Sequence, residues 1–224
     1  MPDLLVERRF PRYGIQVPLL HKTETSQTNP VGIAWTRNLS EGGACVEFAM
    51  PLQPEALLDL RLQTDRGAIA ASANVVWVGD SDQIGQSVPH GLAFTLLSSD
   101  QRRALQEIVT WGREQRRADL RLSFEVSVTC QQAGSPLSPP IEGLTGDISR
   151  GGLLLLLPQV LPSGTVLTLT LQTVRGPLTA RGEIVWVESP VGQLLGPPFR
   201  HGFRFTAIGW FALLNLGMLL MLPR

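Results

Sequence analysis

Apolar and polar residues alternate in two well-separated stretches of the chain. Ile15, Val17 and Leu19 form one such stretch, and residues 124–128 form the other, with Phe, Val and Val at every second position. Alternation with a period of two places one side of an extended chain in a core and the other side in solvent. Each stretch therefore predicts a strand with one buried face.

Further short apolar runs follow each of these strands. They are rich in leucine or β-branched residues and are separated by Gly, Pro, Asn, Asp and Ser, which favour turns. The runs are 45–48, 57–62, 69–78 and 91–96 in the first half of the chain, and 153–157, 166–171, 178–187 and 202–205 in the second half. Five or six short strands in about 90 residues predict a small antiparallel barrel, closed so that few strand edges are exposed. The fold class is therefore mainly β.

The two halves follow one plan. Residues 62–78 (LQTDRGAIAASANVVWV) align without gaps with residues 171–187 (LQTVRGPLTARGEIVWV), and nine of the seventeen positions are identical. The matching residue numbers differ by 109. Since a chain of 224 residues accommodates two domains of roughly 100 residues each, we predict one domain at 1–111 and a second at 112–224.

The two copies end differently. In the first copy Ser98 is expected to cap a helix, and Leu105, Ile108, Val109 and Trp111 supply its apolar stripe. In the second copy residues 210–220 are apolar on nearly every side, so a helix there must be buried on every side. We expect this segment to pack between the domains or in a homodimer.

A membrane partner is not expected from this C-terminal segment. The apolar stretch 210–222 is interrupted by Asn215 and Gly217 and is shorter than the about 20 residues that a membrane-spanning helix needs. Shallow membrane association would need a basic face, which the segment lacks.

Composition narrows the possible functions. The formal net charge is zero, so no overall field attracts the protein to nucleic acid, and an anion site must be a local cluster of arginines. Cys45 and Cys130 are lone thiols, which indicates a reducing cytoplasm. The N-terminus lacks the pattern of a signal peptide. We therefore expect a cytoplasmic protein.

Metal sites and catalysis find no support in the sequence. There is no cluster of metal ligands, no nucleophile elbow, no phosphate-binding P-loop and no catalytic pair of carboxylates. His90 and His201 occupy equivalent positions before a glycine, where a structural role at strand entry is expected. Trp77 and Trp186 lie in strand runs and are expected to pack in the cores.

A charged motif occurs in both copies at the same spacing. Arg8 and Arg12 precede the sequence Asn-Leu-Ser-Glu-Gly-Gly at 38–43. Arg117 and Arg121 precede the sequence Asp-Ile-Ser-Arg-Gly-Gly at 147–152 in the same way. Arginine presents planar, bidentate donors that suit phosphate oxygens or the O6/N7 edge of guanine. An amide or carboxylate oxygen accepts hydrogen bonds from the guanine N1–H and N2–H₂ groups, and glycine permits close backbone approach. The motif therefore indicates a ligand that contains both phosphate and guanine.

These residues resemble the signature of the PilZ family, in two consecutive copies that cover nearly the whole chain. The resemblance implies six-stranded antiparallel barrels, each followed by a C-terminal helix, and a function as a bacterial receptor for cyclic di-GMP. It implies that the arginines lie in a segment that wraps over the ligand, while the Asp or Asn, the Ser and the Gly lie on the barrel surface. The implied ligand-binding residues are Arg8, Arg9, Arg12, Asn38, Ser40 and Gly43 in the first copy, and Arg116, Arg117, Arg121, Asp147, Ser149 and Gly152 in the second.

The copies differ beside their arginine pairs, where Glu7 precedes the first pair and Arg116 precedes the second. The resemblance implies that this position influences whether one ligand or an intercalated pair is bound, so we expect the second site to be tighter. Because residues 112–120 both link the domains and carry the second arginine pair, ligand is expected to order them and change the angle between the barrels. The signal would then pass to an unidentified downstream protein. The alternative is an interaction adaptor that uses the barrel without nucleotide.

Overall fold

The structure, a computed structural model, describes residues 10–23, 31–80, 86–114, 120–134, 139–188 and 197–222. The chain divides into two compact units, Met1–Asp119 and Leu120–Arg224. Each unit is built around antiparallel strands, which confirms the mainly β fold class. The domain boundary at residue 111 remains a prediction.

The first unit is a closed barrel of six antiparallel strands in the order β1-β2-β3-β6-β5-β4, in which β4 pairs back with β1. Leu19 of β1 faces Leu62 of β4 across this closing pair. The strands are β1 (Pro18–Thr23), β2 (Gly32–Ser40), β3 (Gly43–Phe48), β4 (Leu57–Thr64), β5 (Gly67–Val78) and β6 (Val88–Phe94).

The second unit repeats this barrel and adds one short strand. Its ring runs β10-β13-β12-β11-β8-β9 and is closed by the pairing of β9 with β10. The short strand β7 pairs with the C-terminal end of β9. The strands are β7 (Leu122–Ser123), β8 (Ser127–Gln132), β9 (Ile141–Ile148), β10 (Gly152–Leu157), β11 (Val166–Thr173), β12 (Gly176–Val187) and β13 (Phe199–Ala207). Both predicted six-stranded barrels are thereby confirmed.

Leucines at alternating strand positions fill the barrels. Leu58, Leu60 and Leu62 of β4 are at most 4% exposed, and the residues between them are exposed. The second barrel repeats the pattern in β11, where Leu167, Leu169 and Leu171 are buried. Full burial of a leucine side chain stabilises a fold by about 1.5–3 kcal/mol, so this alternation fixes which face of each strand is turned to solvent.

A helix follows each barrel, as predicted. Helix α1 (Ser99–Glu114) begins with a capping box, in which the Ser98 Oγ accepts from the Gln101 N–H at 3.2 Å and the Gln101 Oε1 accepts from the Ser98 N–H at 2.7 Å. Of its predicted stripe, Leu105, Ile108 and Val109 are buried and Trp111 is half-buried.

Helix α2 (Trp210–Leu220) follows the second barrel, and five of its residues are buried while Phe211 is 71% exposed. Within the described ranges, neither helix combines the length and the apolar character needed to cross a membrane.

Candidate functional site

The segment that carries each arginine is held against the motif strand by backbone hydrogen bonds. In the first unit the Tyr13 N–H donates to the Leu39 carbonyl and the Leu39 N–H donates to the Tyr13 carbonyl, both at 2.9 Å. In the second unit Leu122 of β7 pairs in the same way with Ile148 of β9. Arg12 and Arg121, each one residue earlier, are thereby placed beside the motif strand.

A buried threonine fixes this segment in both copies. The Thr36 Oγ1 donates to the Ile15 carbonyl at 2.7 Å and accepts from the Val17 N–H at 2.8 Å. The equivalent Thr145 Oγ1 donates to the Phe124 carbonyl at 2.5 Å and accepts from the backbone N–H of residue 126 at 3.0 Å. Both threonines are fully buried. Sequence reasoning missed them, although a threonine recurs at both positions.

The serine and the last glycine of each motif build the hairpin turn itself. The Ser40 Oγ donates to the Gly43 carbonyl at 2.9 Å, and the Ser149 Oγ donates to the Gly152 carbonyl at 3.1 Å. A Cβ atom on either glycine would lie 2.1 Å from a backbone carbonyl oxygen of the neighbouring strand. Only glycine fits there, and the two serines are at most 3% exposed.

The first motif residue has different partners in the two copies. The Asn38 Oδ1 accepts from the Cys45 N–H at 3.3 Å, at an irregularity in the pairing of β2 with β3. The Asp147 Oδ1 instead accepts from the Arg121 Nη1 at 2.8 Å, with both side chains partly exposed. The amide therefore supports the backbone in the first copy, and the carboxylate holds the arginine in the second.

The first copy has an open cavity of about 280 Å³ beside its motif. The exposed Arg12 contributes a positive charge to this cavity, the motif contributes its turn, and Trp77 contributes an aromatic wall. The cavity is lined by Phe10, Arg12, Ser40, Gly42, Gly43, Val76, Trp77, Gly91, Leu92 and Ala93.

The expectation that Trp77 and Trp186 pack in the cores is wrong. Their side chains are 40% and 39% exposed, and each indole lies against a glycine of the neighbouring strand. A Cβ on Gly91 would lie 1.8 Å from the Trp77 Nε1, and a Cβ on Gly202 would lie 2.0 Å from the Trp186 Nε1. A pairing irregularity just before each tryptophan turns it to the outer face. The signal that could have found this was the repeated tryptophan with a repeated glycine.

The two equivalent histidines have the structural role expected of them. The His90 Nε2 accepts from the Leu52 N–H at 2.9 Å, and the His201 Nε2 accepts from the Leu161 N–H at 3.0 Å. Nδ1 of each ring lies 2.9–3.0 Å from a carbonyl two residues earlier. Burial lowers the pKa of both imidazoles, although the backbone hydrogen bonds oppose that shift. Both rings therefore anchor loops in their uncharged form.

The other predicted site residues are placed as follows. Arg8, Arg9, Arg116 and Arg117 lie outside the residues that the structure describes. The remaining eight are brought together as two sets around the two turns, and their role in ligand binding stays a prediction. Among the described ranges, no three His, Cys, Asp or Glu side chains are arranged to hold a metal ion.

The family model for the PilZ domain matches residues 7–111 and 115–209. Comparison with curated proteins gives no significant match.

Several solved structures match part or most of this chain. The PilZ domain of YcgR from Escherichia coli, with c-di-GMP, is 18% identical over 48% of this chain and 92% of that chain, with a TM-score of 0.42. Borreliella burgdorferi PlzA in complex with c-di-GMP is 11% identical over 90% of this chain and 86% of that chain, with a TM-score of 0.39. The K. pneumonia MrkH–c-di-GMP complex is 12% identical with the same coverage and TM-score.

Proposed function

Because the chain belongs to the PilZ domain family, we propose that it is a bacterial cytoplasmic receptor that binds cyclic di-GMP and has no catalytic activity. The observation that carries this proposal is the cavity in which Arg12, Ser40, Gly43 and Trp77 converge. It combines a cation for a phosphate, an aromatic face for a base and a close-approach glycine, which are the features that a guanine nucleotide needs.

At the first site, the base and the phosphate of the ligand would be bound by different groups. A cavity of about 280 Å³ is at the lower end of small-molecule sites, so we propose that it takes one guanine base. The exposed face of Trp77 would stack on that base, an interaction worth about 1–3 kcal/mol per base. Arg12 would pair with a phosphate, and Arg8 and Arg9 would close over the remainder of the ligand.

The second site would use equivalent groups with more charge. Trp186 offers the same outward-facing indole, and Asp147 offers a carboxylate to the guanine edge. A charged acceptor makes hydrogen bonds roughly twice as strong as a neutral one. With Arg116 and Arg117 added, we propose that this site is the tighter one and that it takes an intercalated pair of ligands.

The signal would leave through the segment at 112–120. Ligand phosphates would fix its arginines against the second barrel, and the barrels would then change orientation and be recognised by a downstream protein. Small-angle scattering of the full chain with saturating ligand tests this step, and the profile is expected to change. Identical profiles with and without ligand would contradict the reorientation.

Helix α2 is a candidate surface for a second copy of the chain. Phe211 is its exposed large apolar side chain, and we propose that it lies in a homodimer contact. Light scattering of a Phe211→Ser variant is expected to give a smaller mass than the unmodified protein. An unchanged mass would contradict the dimer contact without touching ligand binding.

Isothermal titration of the purified full chain with cyclic di-GMP tests the receptor function. Arg12→Ala and Arg121→Ala are each expected to remove the binding heat of one site, and the double variant to remove both. Arg66→Ala is the matched control, because Arg66 is an exposed arginine paired with Glu107 outside both motifs. The nucleotide should be recovered intact by mass spectrometry. Absence of binding heat from the unmodified chain would overturn the receptor function and favour the adaptor.

A further inference from the structure

The strand that faces each motif glycine carries a different residue in the two copies. In the first barrel Gly43 of β3 pairs with Ala93 of β6, and Ala93 lines the cavity. In the second barrel Gly152 of β10 pairs with Arg204 of β13. In both copies a Cβ atom added to the glycine would lie 2.1 Å from the carbonyl oxygen just before this residue, so the two backbones approach equally closely. Arg204 therefore occupies the position of a cavity-lining residue.

The direction of the Arg204 side chain follows from its neighbours on β13. Phe203 is buried in the barrel, so Arg204 points to the outer face, where its side chain is 63% exposed. Gly202 lies two residues earlier and hence on the same face, and the indole of Trp186 rests on it. The Arg204 side chain therefore lies on the same face as the indole, on the strand between the motif strand β10 and β12.

A carboxylate holds Arg204 in this place. Glu183 of β12 lies directly opposite Arg204 in the sheet, and its Oε1 accepts a hydrogen bond from the Arg204 Nη2. In the first barrel the equivalent pair is Asn74 and Ala93. An ion pair with so exposed an arginine contributes little to folding stability, whereas an arginine beside an anion site provides a bidentate phosphate donor.

We propose that Arg204 is a further ligand-binding residue of the second site, where it contacts a phosphate of the cyclic dinucleotide. The inference rests on the proposed function, and it adds a group outside both the arginine segment and the turn. Glu183 positions the guanidinium before the ligand arrives. The phosphodiester then shares the guanidinium with the carboxylate or takes the place of the carboxylate. The first site has no counterpart because alanine stands at that place.

The test is isothermal titration of the full chain in an Arg12→Ala background, so that the second site is observed alone. Arg204→Ala is expected to weaken cyclic di-GMP binding about tenfold and to reduce the loss of affinity on adding salt, because one phosphate contact is gone. Arg204→Lys keeps the charge without the bidentate geometry of the guanidinium, so its affinity should lie between that of Arg204→Ala and that of the Arg12→Ala background.

Arg200→Ala is the matched control. Arg200 lies on the same strand, is similarly exposed and pairs with Glu188 at 3.6 Å, but it lies about 13 Å further along the strand. The affinity of the Arg200→Ala variant for cyclic di-GMP, and the dependence of that affinity on salt, should equal those of the Arg12→Ala background. If Arg204→Ala behaves like Arg200→Ala while the background still binds, the role of Arg204 is overturned and the receptor function stands. If the unmodified chain binds nothing, the receptor function itself is overturned.

Discussion

In the first barrel the arginine beside the turn is exposed and the motif amide supports a backbone N–H, whereas in the second barrel the arginine is held by the motif carboxylate. The threonine, serine and glycine beneath these groups have the same hydrogen bonds and close contacts in both copies. The backbone of the site and its charge are therefore set by separate residues. The backbone has been kept, and the charge has diverged.

The barrels also differ inside, at one paired position near the end opposite the motif. His21 pairs with Gly32 in the first barrel, and the imidazole fills the space that a Cβ on the glycine would occupy. Cys130 pairs with Ile141 at the equivalent place in the second barrel. A large residue beside a small one has been exchanged for a small one beside a large one, so the volume is roughly conserved while the acid–base chemistry is not.

The largest effect is expected from the feature that the copies share. Gly43→Ala and Gly152→Ala each put a Cβ 2.1 Å from a backbone carbonyl oxygen, so either should destabilise its barrel by about 3 kcal/mol or more. Thermal unfolding of both variants measures this. Gly209→Ala is the control, because a Cβ there meets nothing within 4 Å. A tolerated substitution in one copy alone would show that the two turns are not equivalent.

The next largest effect is a loss of folding stability in acid, which His21 causes in the first barrel and which Cys130 does not cause in the second. Burial and the neighbouring His90 lower the pKa of His21 to about 4, so the unfolded chain takes up a proton near pH 6.5 before the folded chain does. Stability contributed by the uncharged His21 is therefore present above pH 6.5 and is lost as the pH falls toward 4, by about 2–3 kcal/mol. Cys130, whose pKa burial raises to about 12, does not titrate in this range.

A His21→Phe variant tests whether His21 causes this loss of stability. It keeps a ring against Phe48 and removes the titrating group, so thermal unfolding should vary less between pH 6.5 and 4 than in the unmodified chain. Lys22→Gln, an exposed neighbour, should leave the pH dependence unchanged. Equal slopes for His21→Phe and the unmodified chain would assign the acid sensitivity elsewhere.

A smaller effect is expected from exchanging the first motif residue. Asp147→Asn removes the carboxylate that holds Arg121 and should weaken cyclic di-GMP binding at the second site about tenfold, since charge-assisted hydrogen bonds are replaced by neutral ones. Asn38→Asp should strengthen the first site in the same titration. Opposite signs would mean that the ion pair competes with the ligand instead of preparing the site.

The smallest effect tests a backbone difference away from the ligand. Glu55 has a φ of 65°, and the equivalent position in the second copy is Gly164, with a φ of 87°. Left-handed backbone is unfavourable for residues with a Cβ, so Glu55→Gly should stabilise the first barrel and Gly164→Ala should destabilise the second, each by about 1 kcal/mol or less. Denaturant unfolding measures both changes. A destabilised Glu55→Gly variant would mean that the Glu55 side chain is needed.

Much of the fold was predictable because strands such as β4 and β11 alternate between buried and less buried positions, and because the strand plan occurs twice. The strands that carry the motif were not predicted. Residues such as Asn38 and Ser40 in β2, and Gly146 and Asp147 in β9, individually favour turns, and only pairing with neighbouring strands makes them extended. A local sequence pattern contains no information about which strands pair in the folded protein.

The candidate site was predictable in its motif residues and not in its surroundings. Trp77 follows an apolar run, and nothing local indicates the pairing irregularity that turns it outward. Arg204 is one exposed arginine among many until the strand register places it opposite Gly152. Residues that act through register across a sheet become visible only when the barrel is known.

The closure of each barrel has a consequence for how this chain could have evolved. Each ring of strands is completed within its own copy, so a duplicated copy does not compete for the strands of its neighbour or expose a long edge for pairing. A substitution within one ring therefore need not break a strand pairing of the other ring. Such independence allows the charge beside one motif turn to change while the ring of the other copy stays closed.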